Sequence, residues 1–200
     1  MKKLVFVIFI VSFFSHLNGF SQPVNIEPIQ FDYLDIVNFD DNMYLLANKG
    51  FIHKYNINTK DLEKIRVFNS GTVIKLYKMD NTFYAFNDLG EMGLSNDNGK
   101  SWETKRISDI NAYCVVQDSN YFYVRDSVKI FKIDEDGNKK NEFSLYSQKL
   151  NRYSEGFTPN YLYSMCLVNN NLAVETDSSK ILFLSKDLVL RDSIEIKNNI

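Results

Sequence analysis

Groups able to do chemistry are sparse in this chain and rarely stand together. His16 lies in an apolar amino-terminal run, which leaves His53 as the one histidine available as a base or ligand to the body of the protein. Its place in a strand-like stretch reads as decoration rather than catalysis. Asp134-Glu135-Asp136-Gly137-Asn138 has the oxygen-rich look of a calcium loop. However, Lys139 stands where such a loop needs glycine and Leu145 where it needs its bidentate glutamate. A polar hairpin built on Asp-Gly is the better reading. Cys114 and Cys166 are too far apart in sequence for a paired metal motif and have no second histidine to join them, so no metal site is expected. The sequence contains neither a nucleophile elbow nor a phosphate-cradling glycine loop, and its acidic residues fall mainly in turns. No catalytic, cofactor or metal residue is therefore assigned.

The first 21 residues are set apart from the fold. Lys2 and Lys3 precede an apolar run from Leu4 to Phe14, and Gly19-Phe20-Ser21 places small residues where a signal peptidase cuts. The run is shorter than the ~20 apolar residues a membrane-spanning helix needs. A signal peptide over 1–21 and export to the periplasm, cell surface or exterior are expected, with no stable membrane insertion after cleavage. Residues 22–200 then form a single domain, long enough to bury a sizeable core. Losing Lys2 and Lys3 takes the formal net charge from -2 to -4, with charges of both signs interspersed. Nucleic acid or an anionic bilayer would require a basic face, so neither is an expected partner. In an oxidising compartment the two cysteines raise the question of a disulfide, with two buried small hydrophobes as the alternative. Their placement on equivalent strands of neighbouring repeats, described next, favours the second.

Sixteen phenylalanines and twelve tyrosines against eight glycines and three prolines favour strands. Polar tips at Asp41-Asn42-Met43, Asp80-Asn81-Thr82 and Ser119-Asn120-Tyr121 recur at 39-residue spacing, and Asn170-Asn171-Leu172 follows after 51. The polar segment from about Ser147 to Pro159 accounts for the longer step. Each tip separates two strand-length apolar stretches, and two further strands follow in each unit. Lys129-Ile130-Phe131-Lys132-Ile133 shows the alternation that puts one set of side chains on each face. Four antiparallel strands per unit at this period predict an all-β fold, a β-propeller of four four-stranded blades at approximately 32–69, 72–108, 110–146 and 160–197. A small closed ring and an incomplete arc both remain open.

The third and fourth strands of the second unit are joined by Ser95-Asn96-Asp97-Asn98-Gly99-Lys100-Ser101-Trp102. Here Asp97 can accept backbone amides, Gly99 can take positive φ, and Trp102, the sole tryptophan, begins the return strand. Repeat spacing carries Asp97 onto Asn58, Asp136 and Asp187, and Ser95 onto Ser185. The pattern Ser95-x-Asp97-x-Gly99-x-Ser101-Trp102 is similar to the Asp-box, or BNR repeat, of sialidase, sortilin and Ycf48-type propellers. The resemblance implies that Ser95, Asp97, Gly99 and Trp102 are corner residues at the propeller's periphery, away from any active site.

Sialidase chemistry would further need three clustered arginines, a tyrosine nucleophile with a glutamate partner, and an acid. The chain has five arginines in all, with Arg66 and Arg106 in expected outer strands. The expected function is a non-enzymatic, exported interaction module for a protein or glycan, with a degenerate or truncated sialidase-like glycoside hydrolase as the alternative. Lys149, Arg152, Tyr153, Glu155 and Phe157 mix charge with aromatic surface and are the expected binding loop. An open arc would expose sheet faces and invite self-association.

Overall fold

The computed structural model describes residues 32–108, 111–145, 164–176 and 180–195. The expected leader at 1–21 and the expected binding residues Lys149, Arg152, Tyr153, Glu155 and Phe157 lie outside them.

The described residues form four antiparallel sheets of four consecutive strands each. Blade 1 holds β1 (Tyr33–Phe39), β2 (Asn42–Ala47), β3 (Phe51–Asn56) and β4 (Leu62–Arg66). Blade 2 holds β5 (Val73–Met79), β6 (Thr82–Asn87), β7 (Glu91–Ser95) and β8 (Glu103–Arg106). Blade 3 holds β9 (Cys114–Asp118), β10 (Tyr121–Arg125), β11 (Lys129–Asp134) and β12 (Lys139–Ser144). Blade 4 holds β13 (Met165–Val168), β14 (Asn171–Glu175), β15 (Lys180–Ser185) and β16 (Leu190–Glu195).

Each first hairpin turns on two residues whose leading member adopts positive φ: Asp40 (53°), Asp80 (51°), Ser119 (47°) and Asn169 (46°). Aspartate and asparagine tolerate this left-handed geometry better than most residues. The turns are therefore spaced by 40, 39 and 50 residues, not 39, 39 and 51; the first and last begin one residue earlier than the apolar pattern suggested. The difference matters because a one-residue slip in a strand exchanges its two faces. In the observed register Tyr44 corresponds to Tyr84, Leu45 to Ala85 and Ile36 to Leu76, as their cross-strand pairs require.

Alternation gives every blade two packing faces, and each interface between consecutive blades has its own core. Tyr44, Leu46 and Ile52 of blade 1 meet Leu76, Phe83 and Ala85 of blade 2, with Trp102 against the edge of the cluster. Tyr84, Phe86 and Met92 on the opposite face of blade 2 meet Phe122, Val124 and Ile133 of blade 3. Tyr123 and Ile130 on the far face of blade 3 meet Met165, Leu172, Val174 and Leu182 of blade 4. The first strands pack in the order β1, β5, β9, β13. Among the described residues no packing of comparable extent joins β13 back to β1.

The connections between blades are held by a repeated device that hydrophobic patterning did not reveal. The amides of Val67 and Phe68 both donate to the carbonyl of Gly50, at 2.9 and 3.1 Å. Forty residues on, Ile107 and Ser108 donate to the carbonyl of Gly90 at the same two distances. In blade 3 the Leu145 amide reaches the Val128 carbonyl at 2.9 Å. In blades 1 to 3 the start of the third strand thus catches the chain as it leaves the fourth.

Cys114 and Cys166 are both free thiols on the adjacent first strands β9 and β13. Cys114 is half-buried, and burial pushes its thiol above the usual range. Cys166 is exposed, contrary to a buried pair, because among the described residues no blade packs on its side of β13.

Candidate binding face

The turn after β7 is closed by a dense set of polar hydrogen bonds. The Ser95 hydroxyl donates to Asp97 Oδ1 at 2.8 Å and accepts the Gly99 amide at 2.9 Å. Asp97 also accepts the amides of Lys100 (3.0 Å) and Ser101 (2.9 Å) and the Ser101 hydroxyl (2.6 Å). Gly99 has φ of 84°, and Trp102 Nε1 donates to its carbonyl at 3.0 Å. The hydroxyl and amides of Ser101, the Ser95 hydroxyl and the Lys100 amide hold the Asp97 carboxyl down to about 2. A carboxylate ordinarily titrating near 3.9 contributes stability above that pH and loses it as pH falls through its folded value. The protein is therefore expected to lose stability between about pH 4 and pH 2, and the Asp97→Asn variant is expected to lack this component. Titration of the Asp97 carboxyl carbon by NMR checks the low midpoint; a midpoint near 4 would show that the turn does not favour the charged form.

The other three units close the same corner differently. Asn56, Asp134 and Ser185 end their third strands opposite Asn42, Tyr121 and Asn171, and each accepts amides of its own turn. Their shorter turns need only one acceptor, supplied at the strand end. The expected acceptor positions do other things: the Asn58 amide donates to Asn56, the Asp136 carbonyl receives Lys105 Nζ, and Asp187 pairs with Lys132 at 2.8 Å. Ser185 does act as a corner acceptor, from the amides of Asp187 and Val189. The carboxylate of Asp134 is spent on the Asn138 amide (2.7 Å) and the Lys140 ammonium (2.7 Å), which gives it a hairpin role.

The loops from second to third strands and the connections between blades emerge at one end of the sheets. Between blades 2 and 3, Arg106, Ile107, Ser108, Asp126, Lys129, Phe131 and Lys139 line a groove of about 310 Å³ that runs from this end along β11 to the start of β12. Its floor is fixed by Asp126, only 1% exposed, which accepts the amides of Val128 (2.7 Å) and Lys129 (2.6 Å) and faces the Ser108 hydroxyl at 3.4 Å. Its wall carries three cations. Lys129 and Lys139 both reach Glu142, at 2.9 and 3.4 Å, and the Lys139 ammonium lies 4.1 Å from the Phe131 ring centroid. Arg106, by contrast, makes no ion pair among the described residues. Its counterpart forty residues earlier, Arg66, stacks over Phe51 at 4.3 Å and donates to the Asn69 carbonyl at 3.3 Å. The groove thus presents one guanidinium, with its planar set of donors, over a rigid floor. Such a site suits a carboxylate.

The described arginines do not converge. Arg66 and Arg106 end the outer strands of blades 1 and 2, Arg191 is in the exposed strand β16, and Arg125 is fully buried between blades 3 and 4. Arg125 Nη1 donates to the carbonyls of Glu175 (2.5 Å) and Ser164 (3.3 Å), so this cation ties the two blades together. Sequence reasoning missed it; the signal was a charge closing the otherwise inward-facing run Phe122-Tyr123-Val124. Two tyrosines in the strands have packing roles. Burial raises the Tyr77 and Tyr123 phenols, the latter to about 12, and their hydroxyls donate to the Val115 and Lys186 carbonyls. His53 is also largely buried; burial and the nearby Lys64 charge lower its affinity for a proton, and Nδ1 lies 2.6 Å from the Tyr33 hydroxyl.

The family model described as Domain of unknown function (DUF4221) matches residues 73–187. No curated protein matches the chain. Among solved structures the chain is similar to a chain of the Mitotic Checkpoint Complex (TM-score 0.65, 8% identity, 84% of this chain and 52% of that one). It is also similar to YCF48 bound to D1 peptide (TM-score 0.64, 8% identity, 87% and 57%) and to BamB from Moraxella catarrhalis (TM-score 0.60, 11% identity, 82% and 50%). At these identities the likeness establishes the β-propeller fold. The chain spans about half the length of each of these structures.

Proposed function

Because the chain belongs to the family described as Domain of unknown function (DUF4221), whose description carries no activity, we propose from its own geometry that it is a protein-interaction module that binds a carboxylate-bearing segment of a partner. The observation that carries this reading is Arg106, which lines the groove between blades 2 and 3 and makes no ion pair among the described residues. Propellers bind through surfaces held on rigid strands, and this groove joins strand residues Arg106, Lys129, Phe131 and Lys139 to the connecting residues Ile107, Ser108 and Asp126. YCF48, which shares the fold, is described as bound to a peptide. The amino-terminal residues 1–21 support export, so the partner would be met in the periplasm or outside the cell. The corner at Ser95, Asp97, Gly99 and Trp102 supports assignment as an Asp-box in a structural role, since the carboxylate is consumed by its own turn.

Selection of displayed random heptapeptides against the purified chain tests the reading. Bound peptides are expected to be enriched in aspartate and glutamate, and Arg106→Glu is expected to weaken the selected peptides roughly 10- to 100-fold, the effect of losing one charge-assisted contact. Equal binding by the variant would refute the groove as the site. A glycan array and a fluorogenic glycoside panel address the glycan and glycosidase readings; turnover abolished by one acidic or tyrosine substitution would replace the interaction reading with an enzymatic one.

A further inference from the structure

The groove that carries Arg106 has a counterpart one unit earlier. Between blades 1 and 2 a second groove, of about 250 Å³, is lined by Arg66, Val67 and Asn69 on one side and by Lys100, Trp102 and Thr104 on the other. Arg66 and Val67 stand forty residues before Arg106 and Ile107, and the amides of Val67 and Ile107 are caught in the same way by the carbonyls of Gly50 and Gly90. The two grooves also share an element. Thr104 in the second and Arg106 in the first are two residues apart on β8, the outermost strand of blade 2, whose four residues are all exposed.

The second groove differs in chemistry from the first. Trp102 is half-buried: its Nε1 donates to the Gly99 carbonyl at 3.0 Å, and a Cβ on Gly93 would lie 3.2 Å from its Cε3. The indole is thus fixed against β7, with the rest of its surface left to the groove. Lys100 stands on the rim, and its ammonium makes no ion pair among the described residues. The Asn69 side-chain amide and the Thr104 hydroxyl make no hydrogen bond among the described residues either. Arg66 is already engaged by Phe51 and the Asn69 carbonyl and forms a wall. No carboxylate lines this groove. A rigid aromatic ring beside an open cation and two open polar groups suits an aromatic side chain with a carboxylate next to it.

We propose that the acidic partner segment bound between blades 2 and 3 continues across β8 into the groove between blades 1 and 2, where an aromatic side chain packs against Trp102 and a further carboxylate meets Lys100. The inference rests on the reading of the first groove and adds an aromatic, acidic second half to its partner. Trp102 precedes Arg106 by four residues, so at ~3.3 Å per extended residue about four more partner residues make the crossing. A segment of roughly twelve residues therefore fills both grooves, whereas seven residues lying along β11 fill the first.

Selection from displayed random peptides of roughly twelve residues, run beside the heptapeptide selection, tests this. The longer peptides are expected to be enriched in an aromatic residue beside aspartate or glutamate, in addition to the acidic stretch shared with the heptapeptides. Selected sequences are synthesised with phenylalanine at the aromatic position, so that Trp102, the sole tryptophan of the chain, is the only one in the complex. Its emission is expected to shift to the blue with the longer peptides and to stay unchanged with the heptapeptides. Glycine in place of that phenylalanine is expected to remove the shift and weaken binding roughly tenfold. Lys100→Glu, an exposed change outside the core, is expected to weaken the longer peptides roughly tenfold more than the heptapeptides. Unchanged Trp102 emission, or equal effects of Lys100→Glu on both peptide lengths, would overturn the second groove and leave the first standing. Heptapeptides insensitive to Arg106→Glu would instead overturn the first groove, and the crossing segment with it.

Discussion

Replacing Gly50 by alanine is expected to destabilise the protein by roughly 4 kcal/mol, among the largest effects of any single substitution. The position has φ of 75°, a region costly for a residue with a side chain, and an added Cβ would lie 2.2 Å from the Phe68 carbonyl oxygen. That oxygen belongs to backbone which cannot simply rotate away. The amides of Val67 and Phe68 are hydrogen-bonded to Gly50 itself, and the Gly50 amide donates to the Gly71 carbonyl at 2.7 Å. Relief of the clash therefore requires the connection from blade 1 to blade 2 to move, with Val67 and Phe68 drawn from the core between them. Thermal unfolding followed by circular dichroism should show a melting temperature lower by about 10 °C, given the scaling for a domain of this size. A loss under about 1 kcal/mol would mean that the close approach of strand and connection is not obligatory.

The second large effect is expected from Phe122→Ala, at about 3–5 kcal/mol. Phe122 is fully buried and its ring is surrounded by three others: the Tyr84 and Phe86 centroids lie at 5.0 Å and Tyr77 at 5.7 Å. Truncation removes the apolar contact area and leaves a void that four β-strands cannot collapse to fill, so both transfer and cavity costs apply. Phe122→Leu should cost distinctly less by retaining most of the volume. Denaturant unfolding of the two variants separates these costs; equal losses would show that the aromatic cluster is not tightly packed.

These two residues mark what sequence pattern discloses and what it does not. Phe122 was legible, because Tyr121 to Val124 reads as a strand between a polar tip and a charged stretch. The four-by-four strand arrangement followed from sixteen such stretches, whose apolar residues serve one sheet face or the other. Gly50 was not legible as a fold residue, since its role depends on the chain returning to it from Phe68. Only its echo at Gly90, forty residues away, hinted at the device. The register of the repeat was misread by one residue at Asp40 and Asn169 because backbone φ, not polarity, chooses which residue leads a turn.

The site was less legible for the same physical reason. Arg106 looked like an outer-strand decoration, and nothing local distinguishes it from Arg66; the difference is that Phe51 and the Asn69 carbonyl engage one of them. Asp126 becomes a floor only when Ser108 arrives beside it from the preceding blade. The corner at Ser95 and Asp97 was readable because its donors and acceptors all lie within eight residues. Function in a propeller comes from contacts between units, and sequence periodicity describes the units.

The most direct measurement is an NMR titration of the isotope-labelled chain with a glutamate-containing heptapeptide recovered by selection. The account predicts shifts concentrated at Arg106, Ser108, Lys129 and the Asp126 backbone, with saturation, and their disappearance in Arg106→Glu while the rest of the spectrum stays unchanged. Shifts centred elsewhere on the blades, or unaltered shifts in the variant, would contradict it.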